Sequence, residues 1–129
     1  MKVYAIEHVQ LAMPPNGEES ARSFYAGVLG LTEKPKPPHL AERGGVWFEQ
    51  EELKIHLGVE SDFRPAKKAH PALLVAGLDD FIRRCEESGA PVVRDEPLDG
   101  FRRGYVNDPF GNRIELMEPV ETAPKGIET

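Results

Sequence analysis

Apolar positions along this chain follow two rhythms in turn, and the two halves run through them in the same order. Val9 and Leu11 alternate with His8 and Gln10, and this period of two predicts a first strand over residues 3–12. Ala21, Phe24, Tyr25, Val28 and Leu29 then recur at helical spacing, with Asn16 and Glu19 placed as a capping box and Gly30 as the stop. Residues 31–34 predict a strand and residues 34–43 a proline-interrupted loop. Val46–Gln50 and Leu53–Val59 predict a hairpin turning at Gln50-Glu51-Glu52. The second half begins with a predicted strand over residues 70–76. A helical stripe of Leu78, Phe81, Ile82 and Cys85 follows, with Asp79 as cap and Gly89 as stop. Residues 91–94, Phe101–Asn107 and 113–117 predict three further strands, the last two joined by the turn Asp108-Pro109-Phe110-Gly111-Asn112.

The shared order reads as a duplication. Gly30 and Gly89 are 59 positions apart, and so are His56 and Glu115, while His8 and His70 differ by 62. Strand parity then sorts the side chains. Val9, Ile55, Leu57, Ile114 and Leu116 fall on the faces that would pack on the helices, and His8, His56, His70 and Glu115 fall on the opposite ones. Four metal-competent side chains at the starts and ends of two similar halves point to one metal site in a curved sheet. Gln10, Trp47, Glu49, Arg103 and Tyr105 share that face. Trp47 reads equally as core or as pocket lining. Arg103 and Tyr105 are open in the same way, although a guanidinium and a phenol beside a metal suit an anionic substrate. His39 reads as solvated, Cys85 as inert core, and Glu49, Glu51 and Glu52 as a solvated turn.

Composition narrows the partners. The 129 residues suit one domain with a real core, and a formal charge of −6 disfavours nucleic acid or an anionic membrane. The single cysteine allows no internal disulfide, and neither a membrane-length apolar run nor a signal-peptide pattern is evident. A cytoplasmic protein is expected. Residues 119–129 read as a polar tail following a single domain over residues 1–118, with module 1 at about 3–60 and module 2 at about 68–118.

Three segments and one pattern carry a resemblance: His-Val-Gln-Leu-Ala at 8–12, Phe-Tyr-x-x-Val-Leu-Gly-Leu at 24–31, Asp-Pro-Phe-Gly-Asn-Arg-Ile-Glu at 108–115, and the paired βαβββ order. With these the chain resembles the vicinal oxygen chelate superfamily, which includes glyoxalase I, fosfomycin-resistance enzymes, extradiol dioxygenases and bleomycin-resistance proteins. The resemblance implies an α+β fold in which two βαβββ modules form a curved, barrel-like mixed sheet with the helices outside. It also implies one divalent metal, Zn, Ni, Fe, Mn or Co, held between the modules by His8, His56, His70 and Glu115. Glu115, Tyr105 and Arg103 would be catalytic; Gln10, Trp47, Arg103 and Tyr105 would line the substrate pocket. Glyoxalase I carries a glutamate where this chain has His56, which leaves Glu115 as the remaining base and weakens the hemithioacetal-isomerase reading. The implied activity is that of a metal-dependent lyase, isomerase or transferase on a small substrate chelated through adjacent oxygens. A small ring-cleaving dioxygenase and a metal-free ligand-sequestering protein are the alternatives. A homodimer is expected because such proteins commonly pair.

Overall fold

The computed structural model describes residues 1–120. Its elements follow the predicted order: β1 (Val9–Met13), α1 (Glu18–Ala21) running directly into a π-helical segment (Arg22–Val28), β2 (Thr32–Lys34), α2 (Pro38–Ala41), β3 (Val46–Gln50) and β4 (Leu53–Val59). The second half supplies β5 (Ala72–Leu74), α3 (Leu78–Glu87), β6 (Val93–Arg94), β7 (Phe101–Asn107) and β8 (Arg113–Pro119). The strands form two four-stranded mixed sheets, ordered β1-β4-β3-β2 and β5-β8-β7-β6. In each sheet the first strand of the module lies parallel to the last, and the remaining pairs are antiparallel. This is an α+β fold of two βαβββ units, as the repeated order predicts.

The parity argument holds except at Val9, which is half-buried outside the core and lines a crevice with His70. Ile55, Leu57, Phe48, Leu73, Ile114 and Leu116 are all buried in one core with the helical stripes, which include Phe24, Tyr25, Leu78, Ile82 and Cys85. Cys85 sits there as a free thiol whose pKa burial pushes up, in keeping with an inert core residue.

The turn at 108–112 ties the two units together. Asp108 is 4 % exposed and accepts hydrogen bonds from the Phe110 and Asn112 backbone N–H groups, from Asn112 Nδ2 and from the hydroxyl of Tyr25 at 2.7 Å. Asn112 Nδ2 also donates to the Ala12 carbonyl at 2.8 Å, so one turn of the second unit holds both the helix and the first strand of the first. Burial, reinforced by the Asp108 charge and hydrogen bond, pushes the Tyr25 phenol well above the usual tyrosine value.

Several local expectations are corrected. The first strand starts at Val9, not near residue 3. Val9 pairs with Ile55, and β4 begins at Leu53, so residues before Glu7 run past the end of their partner and find no ladder. β5 is shorter than residues 70–76, because Pro71 has no N–H to donate; Val75 N–H still reaches the Met117 carbonyl. Asn16 does not cap the first helix. It takes a left-handed φ of 65°, the cap position is Gly17, and no side chain bonds there. Asp79 is not a cap either. The chain turns through Gly77 at φ +85°, and the Gly77 and Leu78 N–H groups donate to Glu118 of β8 at 2.7 and 3.3 Å. Asp79 instead pairs with Arg94 and Arg102. The loop over residues 34–43 contains the short helix α2, opened by a proline at its first position, where the missing N–H costs nothing. The tail expected from residue 119 falls, from 121 on, outside the described residues, and Pro119 itself closes β8.

Candidate metal and substrate site

On the sheet faces turned away from the helices, the polar residues gather into two clusters. In the first unit Trp47 and His56 are cross-strand partners, and their rings stack at 4.1 Å and 6°. His8 stacks on His56 at 4.3 Å and 19°, which puts the His56 imidazole between two rings. Burial, with a smaller push from His8, lowers the His56 pKa and favours its neutral form. His8 Nδ1 lies 2.9 Å from Glu7, whose carboxylate also takes the Lys54 ammonium. Gln10 is the β1 neighbour of His56 and stays exposed.

In the second unit Glu115 is the centre. It is 5 % exposed, lies across from Tyr105 on one side and Ala72 on the other, and contacts two cationic or potentially cationic groups. His70 Nε2 is 3.0 Å from one carboxylate oxygen, and Arg103 Nη1 donates to the other at 3.1 Å. Arg103 also donates to the Tyr105 hydroxyl at 2.8 Å and pairs with Asp95, and these contacts with Glu115 raise its already high pKa. The Tyr105 ring is met edge-on by His70 at 5.2 Å and on its face by the Arg113 guanidinium at 3.9 Å.

His70 decides what this cluster can hold. Its Nδ1 lies 2.8 Å from the Lys68 carbonyl, an acceptor, and its Nε2 faces a carboxylate oxygen. A neutral imidazole has one N–H. With that hydrogen given to Lys68, Nε2 turns a lone pair toward Glu115. In the other tautomer Nε2–H donates to Glu115; in this one the lone pair and the carboxylate oxygen face each other as two ligands of one cation would. A ring nitrogen and a carboxylate oxygen this close, with the other ring nitrogen anchored on a backbone carbonyl, form a chemically suitable pair of ligands for a divalent ion.

The pair is incomplete within one chain. His8 and His56 are engaged in their own stack, and among the described residues no group of three or more His, Cys, Asp or Glu side chains is placed to hold a metal. The structure therefore brings together His70, Glu115, Arg103 and Tyr105, and separately His8, His56 and Trp47. Arg113, two positions before Glu115 in β8, shares its face, but nothing in the sequence singles it out. Its stacking on Tyr105 depends on the β7–β8 register, which places Tyr105 opposite Glu115 and Asn107 opposite Arg113.

Residues 12–117 match the sequence profile of the Glyoxalase-like domain. The chain belongs to the glyoxalase-like family. Among solved structures, a glyoxalase family protein from Bacillus anthracis is 46 % identical, with a TM-score of 0.88 over 93 % of this chain and 98 % of that one. The fosfomycin resistance protein FosX from Listeria monocytogenes shares the fold at 15 % identity and a TM-score of 0.74, over 92 % and 96 % of the two chains. So does TnmS3, an antibiotic binding protein from Streptomyces sp. CB03234, at 23 % identity and 0.69, over 92 % and 100 %. No curated protein matches this glyoxalase-like chain significantly. Among its described residues no helix is long and apolar enough to cross a membrane.

Proposed function

We propose that this chain is a divalent-metal-dependent enzyme of the glyoxalase family, of lyase, isomerase or transferase type, acting on a small molecule through two adjacent oxygens. The observation that carries the reading is the His70–Glu115 pair: two metal-competent atoms 3.0 Å apart, with the far side of the imidazole fixed on the Lys68 carbonyl. Members of the superfamily commonly use divalent metals. The third protein ligand in this reading is His8 of a second copy of the chain. Support comes from the segment that leads into His8. Val3, Tyr4 and Ile6 are 97 %, 87 % and 79 % exposed, an apolar arm that one chain leaves uncovered and a homodimer would bury.

The bound ion would supply Lewis acidity toward two adjacent substrate oxygens. The chain's own residues do the rest. Glu115 is both ligand and proton carrier. Arg103 donates to its outer oxygen and, held by Tyr105 and Asp95, fixes its orientation. His56, between two rings and favoured in its neutral form, shapes the opposite cluster with Trp47 and Gln10.

Metal analysis of protein purified without chelators tests this reading. Stoichiometric zinc, nickel, manganese or cobalt is expected in the wild type, with loss of metal in His70→Ala and Glu115→Ala and no loss of fold. Iron would move the reading to a ring-cleaving dioxygenase. A second reading, a ligand-sequestering protein, draws on the incomplete ligand set of one chain and on the fold shared with an antibiotic binding protein. Protein that takes up no divalent metal would select it.

A further inference from the structure

The protein carries a net charge of −6, yet the surroundings of His70 are rich in guanidinium groups. Arg103 is committed to Glu115 and Asp95. Arg113 is not committed to any carboxylate among the described residues. Its guanidinium carbon lies over the Tyr105 ring, 3.9 Å from the centroid, half-buried, on the same face of β8 as Glu115. A guanidinium stacked in this way uses its face for packing and leaves its N–H edges free, preset as a fork for a planar anion. The Tyr105 ring links it to the site, because His70 meets the same ring edge-on and the hydroxyl accepts from Arg103. Arg113 also lines a crevice of about 520 Å³ together with His70, Arg64, Asn112, Val9 and Leu11. Arg64 likewise has no carboxylate partner among the described residues, so the crevice presents two uncompensated cations beside a strip of apolar wall.

We propose that the substrate is an organic anion, a carboxylate with an apolar portion. The Arg113 fork binds its charged group, Arg64 adds longer-range attraction, and Val9 and Leu11 contact its apolar part. The inference rests on the crevice beside His70 being the substrate site of the metal-dependent reading. It concerns residues that do not hold the metal, and the two are separable. In an acidic protein this local field also concentrates anions at the site against the overall charge.

The test uses butyrate and oxalate as probes, with uncharged oxamide as control. Binding is followed by NMR on the metal-free full-length protein through the Arg113 side-chain N–H and the His70 ring signals. Both anions are expected to shift these signals saturably, more weakly at high salt, and oxamide to leave them in place. Arg113→Gln should weaken anion binding at least about tenfold, and Arg113→Lys, which keeps the charge but loses the stacked fork, should weaken it by several-fold. Arg64→Gln should have a smaller, salt-dependent effect. Arg113→Gln that binds the anions within about twofold of wild type, or oxamide that perturbs the same signals equally, overturns the proposal. Metal uptake measured on the same variants keeps the two readings apart. Unchanged anion affinity in an Arg113→Gln protein that still takes metal defeats the anion proposal alone, and anion binding without any metal uptake defeats the metal reading alone.

Discussion

At the scale of single residues, the two polar hubs of this fold do different work. Tyr25 and Asp108 form a structural one. The phenol is buried and hydrogen-bonded to the carboxylate at 2.7 Å, and its pKa is raised chiefly by burial. A neutral acid with a raised folded pKa gives stability that is complete below the unfolded value. That stability is lost as pH rises beyond the usual tyrosine value of 10.0 toward the higher folded one. Tyr25→Phe should therefore lower stability at neutral pH by about 1–3 kcal/mol and flatten the alkaline decline above pH 10, both readable in urea titrations across pH. The second hub, His70 with Glu115, was legible in the sequence by parity alone. So was the sharing of a face by His8 and His56. What the sequence did not show is that imidazoles at strand spacing stack on one another and on Trp47. Strand pattern fixes the face of a side chain but not its rotamer or its distance from residues of the other unit.

The elements were legible where the pattern was long and uninterrupted. β3, β4 and β7 occupy the predicted residues, because alternation over five to seven positions on a buried face leaves one register. Helix starts were misread at Asn16 and Asp79 because local capping rules assume that a side chain just before the helix satisfies its first N–H groups. At α1 no side chain bonds there. At α3 the partner is Glu118, forty-one positions away from Gly77, which also accepts from Arg102. Glu118→Ala should cost about 1 kcal/mol through the lost cap and the helix-dipole contact, while Asp79→Ala should cost less, since its ion pairs are exposed. Thermal melts of the two variants compare them directly. The first strand shows the same limit. Its apolar pattern continues to Val3, but a strand extends only as far as its partner, and β4 ends the ladder.

For the whole molecule, the proposed site completed by a second copy accounts both for the division of the predicted ligands between two clusters and for the uncovered arm before His8. Light scattering at micromolar concentration should report a dimer. Removing residues 1–6 should weaken it by at least about tenfold, since burying Val3, Tyr4 and Ile6 stabilises the pair through the hydrophobic effect. The most direct test mixes two inactive halves. His8→Ala and Glu115→Ala are each expected to purify without stoichiometric metal. When the two are unfolded together in equal amounts, refolded and loaded with zinc, heterodimers regain one intact site each. Metal content should then rise to about one quarter of the wild-type value, as random pairing of two chains requires. A mixture that binds no more metal than either variant alone would contradict a site shared between copies, and with it the metal-dependent account given for His8, His70 and Glu115.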